Sequence, residues 1–180
     1  TGSESPATAD DYFRAHASFI AQLRDSAGAA IGYGANIKAL VAAASATATF
    51  TADAITVGAS LPGIKYLLTG LSKTINLATT GAGGMDTGTA TASSWVAIYA
   101  IYNPSTGVSA LLAQNAANAV MPETYGGANM PAGFTASALL SVLRTTAGGL
   151  FEVAFQTGRY IAHLDRTAVN SGVLTPSFTN

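Results

Sequence analysis

The chain has 180 residues, 49% of them hydrophobic and only 9% charged, with a net charge of -1 and no cysteine; soluble domains usually carry roughly a quarter charged residues. That length fits one ordinary domain with a small appendage, the scattered eight Lys and Arg lack the footprint of a nucleic-acid binder, and the absence of cysteine removes disulfides, thiolate catalysis and cysteine-ligated zinc together. A surface built from Thr, Ser, Gly, Asn and Ala exposes neutral, partly apolar faces, so the first expectation is burial against other subunits.

The N-terminal part, residues 1–35, reads as a helix and a glycine-rich hinge. Ala9 to Ala27 holds helix formers and no Pro or Gly, with Thr8 and Asp11 as a candidate N-cap pair. Phe13, His16, Ile20, Leu23 and Ala27 fall at 3-4-3-4 spacing, which is either one seam of a short self-associating coil or the inner face of a lone amphipathic helix. Gly28 to Asn36, GAAIGYGAN, reads as the hinge.

Residues 36–180 change character. Segments rich in Val, Ile, Thr and aromatics alternate with Gly, Pro, Asn and Ser turns: Ile37–Ala44, Thr47–Val57, Tyr66–Leu77, Trp95–Asn103, Ser109–Gln114, Ala138–Thr145, Phe151–Thr157 and Tyr160–Asp165. This spacing predicts a mainly β, antiparallel sandwich or barrel-like unit after the short N-terminal α-helix. Both faces of the Trp95 segment are apolar, so it is expected to be a central strand covered on both sides, with Trp95, Ile98, Ile101 and Leu111 in the core. Its apolar run, Trp95 to Tyr102, is far shorter than the roughly 18 residues of a membrane helix. No basic-then-apolar leader precedes it, and no membrane insertion is expected. Asn103-Pro104-Ser105-Thr106-Gly107 is the turn that closes a hairpin onto Val108–Ala113.

Two longer loops remain, Thr79–Ser94 and Asn115–Ala136, the natural carriers of function on a rigid β-scaffold. The first, rich in glycine, is no nucleotide cradle: after Gly81 and Gly83 a G-x-G-x-x-G fingerprint would need glycine where Asp86 stands, and no Gly-Lys-Ser/Thr follows. Gly58-Ala59-Ser60-Leu61-Pro62 fails as a nucleophile elbow at Pro62 and reads as a turn. His16 and His163 have no ligand-spaced partners, so neither a metal nor another cofactor is expected. Glycoside hydrolysis would need a pair of carboxylates flanking a sugar; Asp53, Asp86, Glu123, Glu152 and Asp165 are the candidates, and Asp86 also reads as a turn-capping residue. Sugar binding asks only for an aromatic face and hydrogen-bonding groups. Glu123, Tyr125, Asn129 and Met130 in the second loop, with Asp86 in the first, offer that mixture. The competing reading is that Met130, Pro131 and Phe134 staple the loop to the core.

From about Asn36 to Ile161 the chain resembles the C-terminal head domain of bacteriophage tail fibres and tailspikes. The likeness lies in an ordered series: Ala35-Asn36-Ile37-Lys38, Thr49–Val57, Leu77–Gly88 with its Asp86-Thr87-Gly88 element, Trp95–Pro104, Met121-Pro122, Met130–Phe134 and Gln156–Arg159. The resemblance implies a homotrimeric virion protein at the distal tip of the tail fibre, joined to the remainder of that fibre. Its implied role is receptor binding and host cell adhesion through a bacterial surface glycan or lipopolysaccharide, and it supplies no catalytic residues. The alternatives are a polysaccharide depolymerase, for which no repetitive β-helical body appears, and a purely structural trimerisation domain.

Overall fold

The computed structural model describes residues 6–24, 30–61, 63–117 and 119–163. Among these the chain is mainly β, with an antiparallel sheet and one helix. The helix, α1, spans Pro6–Arg24. It begins with proline, whose fixed φ suits a first turn, so the expected cap Thr8 lies inside the helix rather than before it. An Asp10–Arg14 ion pair at 2.9 Å supports its surface. Phe13, His16 and Ile20 of the expected seam are exposed, Phe13 by 74% and Ile20 by 64%, and Tyr12 beside them is exposed as well. The seam is therefore not packed on the described β-structure. Ala27 and the side chain of Leu23 lie outside the described residues.

The strands are β1 (Gly34–Ala35), β2 (Lys38–Val41), β3 (Thr47–Gly58), β4 (Lys65–Asn76), β5 (Trp95–Asn103), β6 (Val108–Asn115), β7 (Ala136–Arg144), β8 (Ala154–Thr157) and β9 (Tyr160–His163). Their order is β6-β5-β7-β3-β2-β8-β9, with β1 and β4 also paired to β3. The strand β1 falls in the stretch read as a hinge: it pairs Gly34 with Ile55 and Ala35 with Ala54, and Ile31 just before it is buried. Strand β3 is the organiser, because its alternating Ala48, Phe50 and Ala52 point inward while Thr47, Thr49 and Thr51 face out, the period-2 pattern of a half-buried strand. The link from β3 to β7 is the single pairing Gly58–Ser137.

One core joins Phe50, Ile55 and Val57 of β3 and Leu71 and Ile75 of β4 to Val96, Ile98 and Ala100 of β5, Leu111 of β6 and Leu143 of β7. A second core lies on the other face of β5, where Ala97, Tyr99 and Ile101 meet Leu112, Ala116 and Tyr125, flanked by Met121, Met130 and Phe134. As expected, β5 is central and covered on both faces; it is hydrogen-bonded to β6 and β7 along most of its length. Ile98, Ile101 and Leu111 are fully buried. Trp95, expected beside them, is not: it is 41% exposed, although Ala116 N–H donates to its carbonyl. The Asn103–Gly107 turn closes the β5–β6 hairpin through Gly107 N–H to Asn103 C=O at 2.9 Å, with the Asn103 side chain accepting from Ser105 N–H.

The glycine-rich loop has a structural task. It runs along the open edge of β6, where Gly83 N–H donates to Leu111 C=O, Ala113 N–H to Gly84 C=O and Asp86 N–H to Ala113 C=O, all within 2.7–2.9 Å. Asn115 continues the seam with its side chain, donating to Thr89 C=O and accepting from Thr91 N–H. Met85 is driven into the first core. A side chain at Gly84 would run into the Thr79 carbonyl, so only glycine lets the loop fold back tightly enough to lie there. An edge strand left bare would be a template for pairing with another chain; here the loop covers that edge from Leu111 to Asn115.

Candidate functional site

The two long loops meet over the β5–β6 end of the sheet, and their contact is a tyrosine–carboxylate bond. Tyr125 O–H donates to Asp86 Oδ2 at 2.9 Å, and Asn129 N–H donates to the same phenol oxygen at 3.3 Å. Asp86 Oδ1 accepts from the adjacent Thr87 N–H at 2.7 Å, one residue short of the bond that an Asx turn makes. Backbone register supports the ring from below: Tyr125 N–H donates to Ser137 Oγ and Leu139 N–H to Glu123 C=O, which ties residues 123–125 to β7.

Beneath it lies Tyr99, whose ring meets that of Tyr125 edge-on at 5.5 Å between centroids, the tilted geometry that aromatic quadrupoles prefer. Tyr99 O–H donates to Pro122 C=O at 3.1 Å. Both phenols are pushed up from 10 to about 12. For Tyr99 the causes are burial first and then the charges that gather above it, Tyr125, Glu123 and Asp86. For Tyr125 burial again comes first, followed by the bond to the Asp86 carboxylate, with the Asn129 N–H pulling the other way. Negative charge on either ring is disfavoured in such surroundings.

The structure thus brings Asp86, Tyr125 and Asn129 together, and Met130 packs at the edge of the same core. Glu123 points to the other side, where its carboxylate lies 3.7 Å from Arg159 Nη2, and Arg159 also donates to Gly32 C=O at 2.7 Å. Tyr125 does not have the exposure expected of a sugar platform: it is 9% exposed, with Tyr99 against the ring and Gly127 so near its hydroxyl that a side chain at 127 would collide with it. Its geometry is that of an anchor. What remains accessible at this junction is the exposed Asn129, with Asp86 half-buried between the loops, while the exposed Glu123 faces Arg159.

The other carboxylates are also engaged. Asp53 accepts from Asn36 Nδ2 at 3.2 Å, and Glu152 lies 3.6 Å from Arg144 Nε; Asp165 falls outside the described residues. Among the described residues no group of three His, Cys, Asp or Glu side chains is placed to hold a metal ion, and no helix is long and apolar enough to cross a membrane.

Sequence reasoning missed the surroundings of Trp95. Its ring carries the Arg144 guanidinium at 5.7 Å from the centroid and the His163 ring edge-on at 5.6 Å. The signal was present in the strand pattern: Arg144 is a charged residue inside a segment otherwise read as core strand, and the β5–β7 register sets it directly opposite Trp95. Compared with family models, with curated proteins and with solved structures, the chain finds no match.

Proposed function

We infer that the chain is the receptor-binding head of a phage tail fibre, a non-catalytic homotrimer whose β-unit, packed as a sandwich, attaches the virion to a bacterial surface glycan or lipopolysaccharide. The observation that carries this reading is the pairing of two features. A helix with an exposed apolar seam at Phe13 and Ile20 stands before a β-unit whose two long loops are locked to each other through Asp86 and Tyr125. An apolar helical seam exposed among the described residues is suited to a threefold bundle, and locked loops on a rigid sheet suit recognition at low entropic cost. The low charge of the chain agrees with subunit burial. Two elements of the tail-fibre resemblance are part of the ordered β-unit: Asp86 at the junction of the two loops and the Trp95 segment as a strand covered on both faces.

Binding is favoured over hydrolysis because Asp53, Asp86, Glu123 and Glu152 each have a hydrogen-bonding or ionic partner, whereas a hydrolase needs two carboxylates facing one open sugar site. In this reading Tyr125 holds the loops, and the exposed Asn129 at their junction meets the receptor. Two measurements test it. Sedimentation equilibrium is expected to give three times the 18.0 kDa chain mass, and adsorption to host cells is expected to be competed by purified capsule or lipopolysaccharide without new reducing ends. A persistent monomer, or the release of reducing ends, would overturn the reading.

A further inference from the structure

The chain enters its β-unit at a firmly held point. Tyr33 N–H donates to Ala30 C=O at 3.0 Å, Gly32 N–H to Thr56 C=O at 2.9 Å and Thr56 N–H to Tyr33 C=O at 2.8 Å. Ile31 among them is buried; its side chain takes the place that a Cβ at Gly58 would need, with the Ile64 carbonyl 3.3 Å from that point. Arg159 closes the same segment through its bond to Gly32 C=O. Around this entry stand four large apolar side chains, Tyr33, Leu61, Ile64 and Leu67, each exposed by 43% or more. We propose that this apolar end is the surface on which copies of the chain pack against one another, next to their associated helices. The proposal rests on the oligomeric part of the attachment reading and gives the contact a location on the β-unit.

Register gathers the four residues. Thr56 pairs with Leu67 of β4 on one side and bonds to Gly32 and Tyr33 on the other, so Tyr33 and Leu67 flank one residue of β3 at about 10 Å from each other. Leu61 and Ile64 belong to the connection from β3 to β4, where Gly63 N–H donates to Ser60 C=O at 2.9 Å. Lys65 is the one charged residue between Gly58 and Leu67, and the Glu123–Arg159 pair that borders Gly32 has no net charge. Apolar side chains gathered in this way mark a contact surface.

The path of the chain names the occupant. α1 ends at Arg24 and the described β-unit begins at Ala30, six steps that span at most about 20 Å. Tyr12, Phe13 and Ile20 of the helix are exposed as well, and identical apolar seams bury one another around a symmetry axis. Helices packed so lie about 8–10 Å apart, which brings each entry point to within about 25 Å of that axis. The apolar end is then the part of the β-unit nearest to the neighbouring copies. A 19-residue helix has only about five turns, a short seam for an assembly to rest on, and a second apolar contact adds the area that a stable interface needs. A copy of the chain also arrives already joined through its helix, at high effective concentration. An unrelated partner has no such advantage.

The chain has no cysteine, so a single introduced thiol reports its own neighbours. Ile64→Cys in the full chain is compared with Phe155→Cys, which lies opposite Leu40 in the other exposed apolar pair, on β8 and β2. With a short bis-maleimide, Ile64→Cys is expected to give covalent dimers whose yield does not change on dilution, and Phe155→Cys to stay at the mass of one chain. A second variant carries Ile64→Asp and Leu67→Asp together, two charges where a copy would pack. Sedimentation equilibrium should show its assembly weakened by about tenfold or more. Its far-UV circular dichroism should match the parent, because both positions are exposed within the subunit.

An assembled parent in which Ile64→Cys stays unlinked, or in which the double Asp variant assembles as before, overturns the contact and leaves the oligomer of the attachment reading standing. Dilution-resistant linking at Phe155→Cys alone moves the contact to the β2–β8 face and overturns it too. Links at Ile64→Cys that vanish on dilution are chance encounters and count against it. A parent that is monomeric at every concentration overturns both the contact and the attachment reading. Dilution-resistant linking at Ile64→Cys in a protein that never adsorbs to cells keeps the contact and removes the receptor.

Discussion

Tyr125 and Trp95 belong to the same face of β5, one covering its middle and the other forming its start, about 13 Å apart along the strand. Over Tyr99 and Ile101 the face is closed by residues of the second loop, with Tyr125 bolted to Asp86 and Met121, Met130 and Phe134 packed around it. Four residues earlier the same face is open, and the larger aromatic ring stands in solvent beside a charged pair. The strand pattern is equally apolar at both ends. What separates anchor from exposed ring is which side chains of the loop come to rest over it, a tyrosine and two methionines in the middle and two alanines at the start, which the strand itself does not encode.

The comparison can be broken most forcefully at the covered end. Tyr99→Ala removes a fully buried ring together with its bond to Pro122 and is expected to cost about 3–5 kcal/mol in chemical denaturation; a loss under about 1 kcal/mol would show the loop to be a loose cover. Gly84→Ala should cost about 1–3 kcal/mol, because the added methyl meets the Thr79 carbonyl and the loop must shift off β6. An accompanying rise in light scattering would report the bared edge.

Tyr125→Phe keeps the ring and deletes its hydroxyl, leaving Asp86 Oδ2 without that donor. A loss of about 1–2 kcal/mol is expected, with adsorption to cells unchanged if the residue is an anchor only. The raised phenols add a pH signature. Their folded values lie above their unfolded value of 10, so the folded state holds these protons more tightly; the stability they contribute is complete below pH 10 and is lost as pH climbs toward about 12. Thermal melting should therefore fall steeply across that window, less so in Tyr125→Phe. At the open end the expected effect on stability is smallest: Trp95→Ala should change it by about 1 kcal/mol or less. A larger loss would place Trp95 among the core residues after all.

Much of the β-structure was legible from local pattern. The Trp95–Asn103 segment and its Asn-Pro turn were found at their observed limits, and Thr47 opens β3 where alternation begins, because period 2 and turn chemistry act over a few residues. The misreadings share a different origin. Gly34–Ala35 became a strand through pairing with residues twenty positions on, and glycine content alone signals only a break. Tyr125 looked like a platform because it lies among glycines, and Trp95 like core because it opens an apolar run. Each outcome depended on which distant segment came to rest above it, and the Asp86–Tyr125 contact spans 39 positions.

The strap that runs beside β6 from Gly83 to Thr91, held by backbone bonds and by the Asn115 side chain, has a consequence for behaviour in solution. Proteins commonly keep their sheet margins from joining by lining them with like charges, a defence that electrolytes weaken. In this chain the margin of β6 from Leu111 to Asn115 is occupied by its own main chain, so the barrier to edge-to-edge polymerisation there is steric and covalently tethered. Its resistance to fibre formation through that margin should hold from dilute buffer to brine.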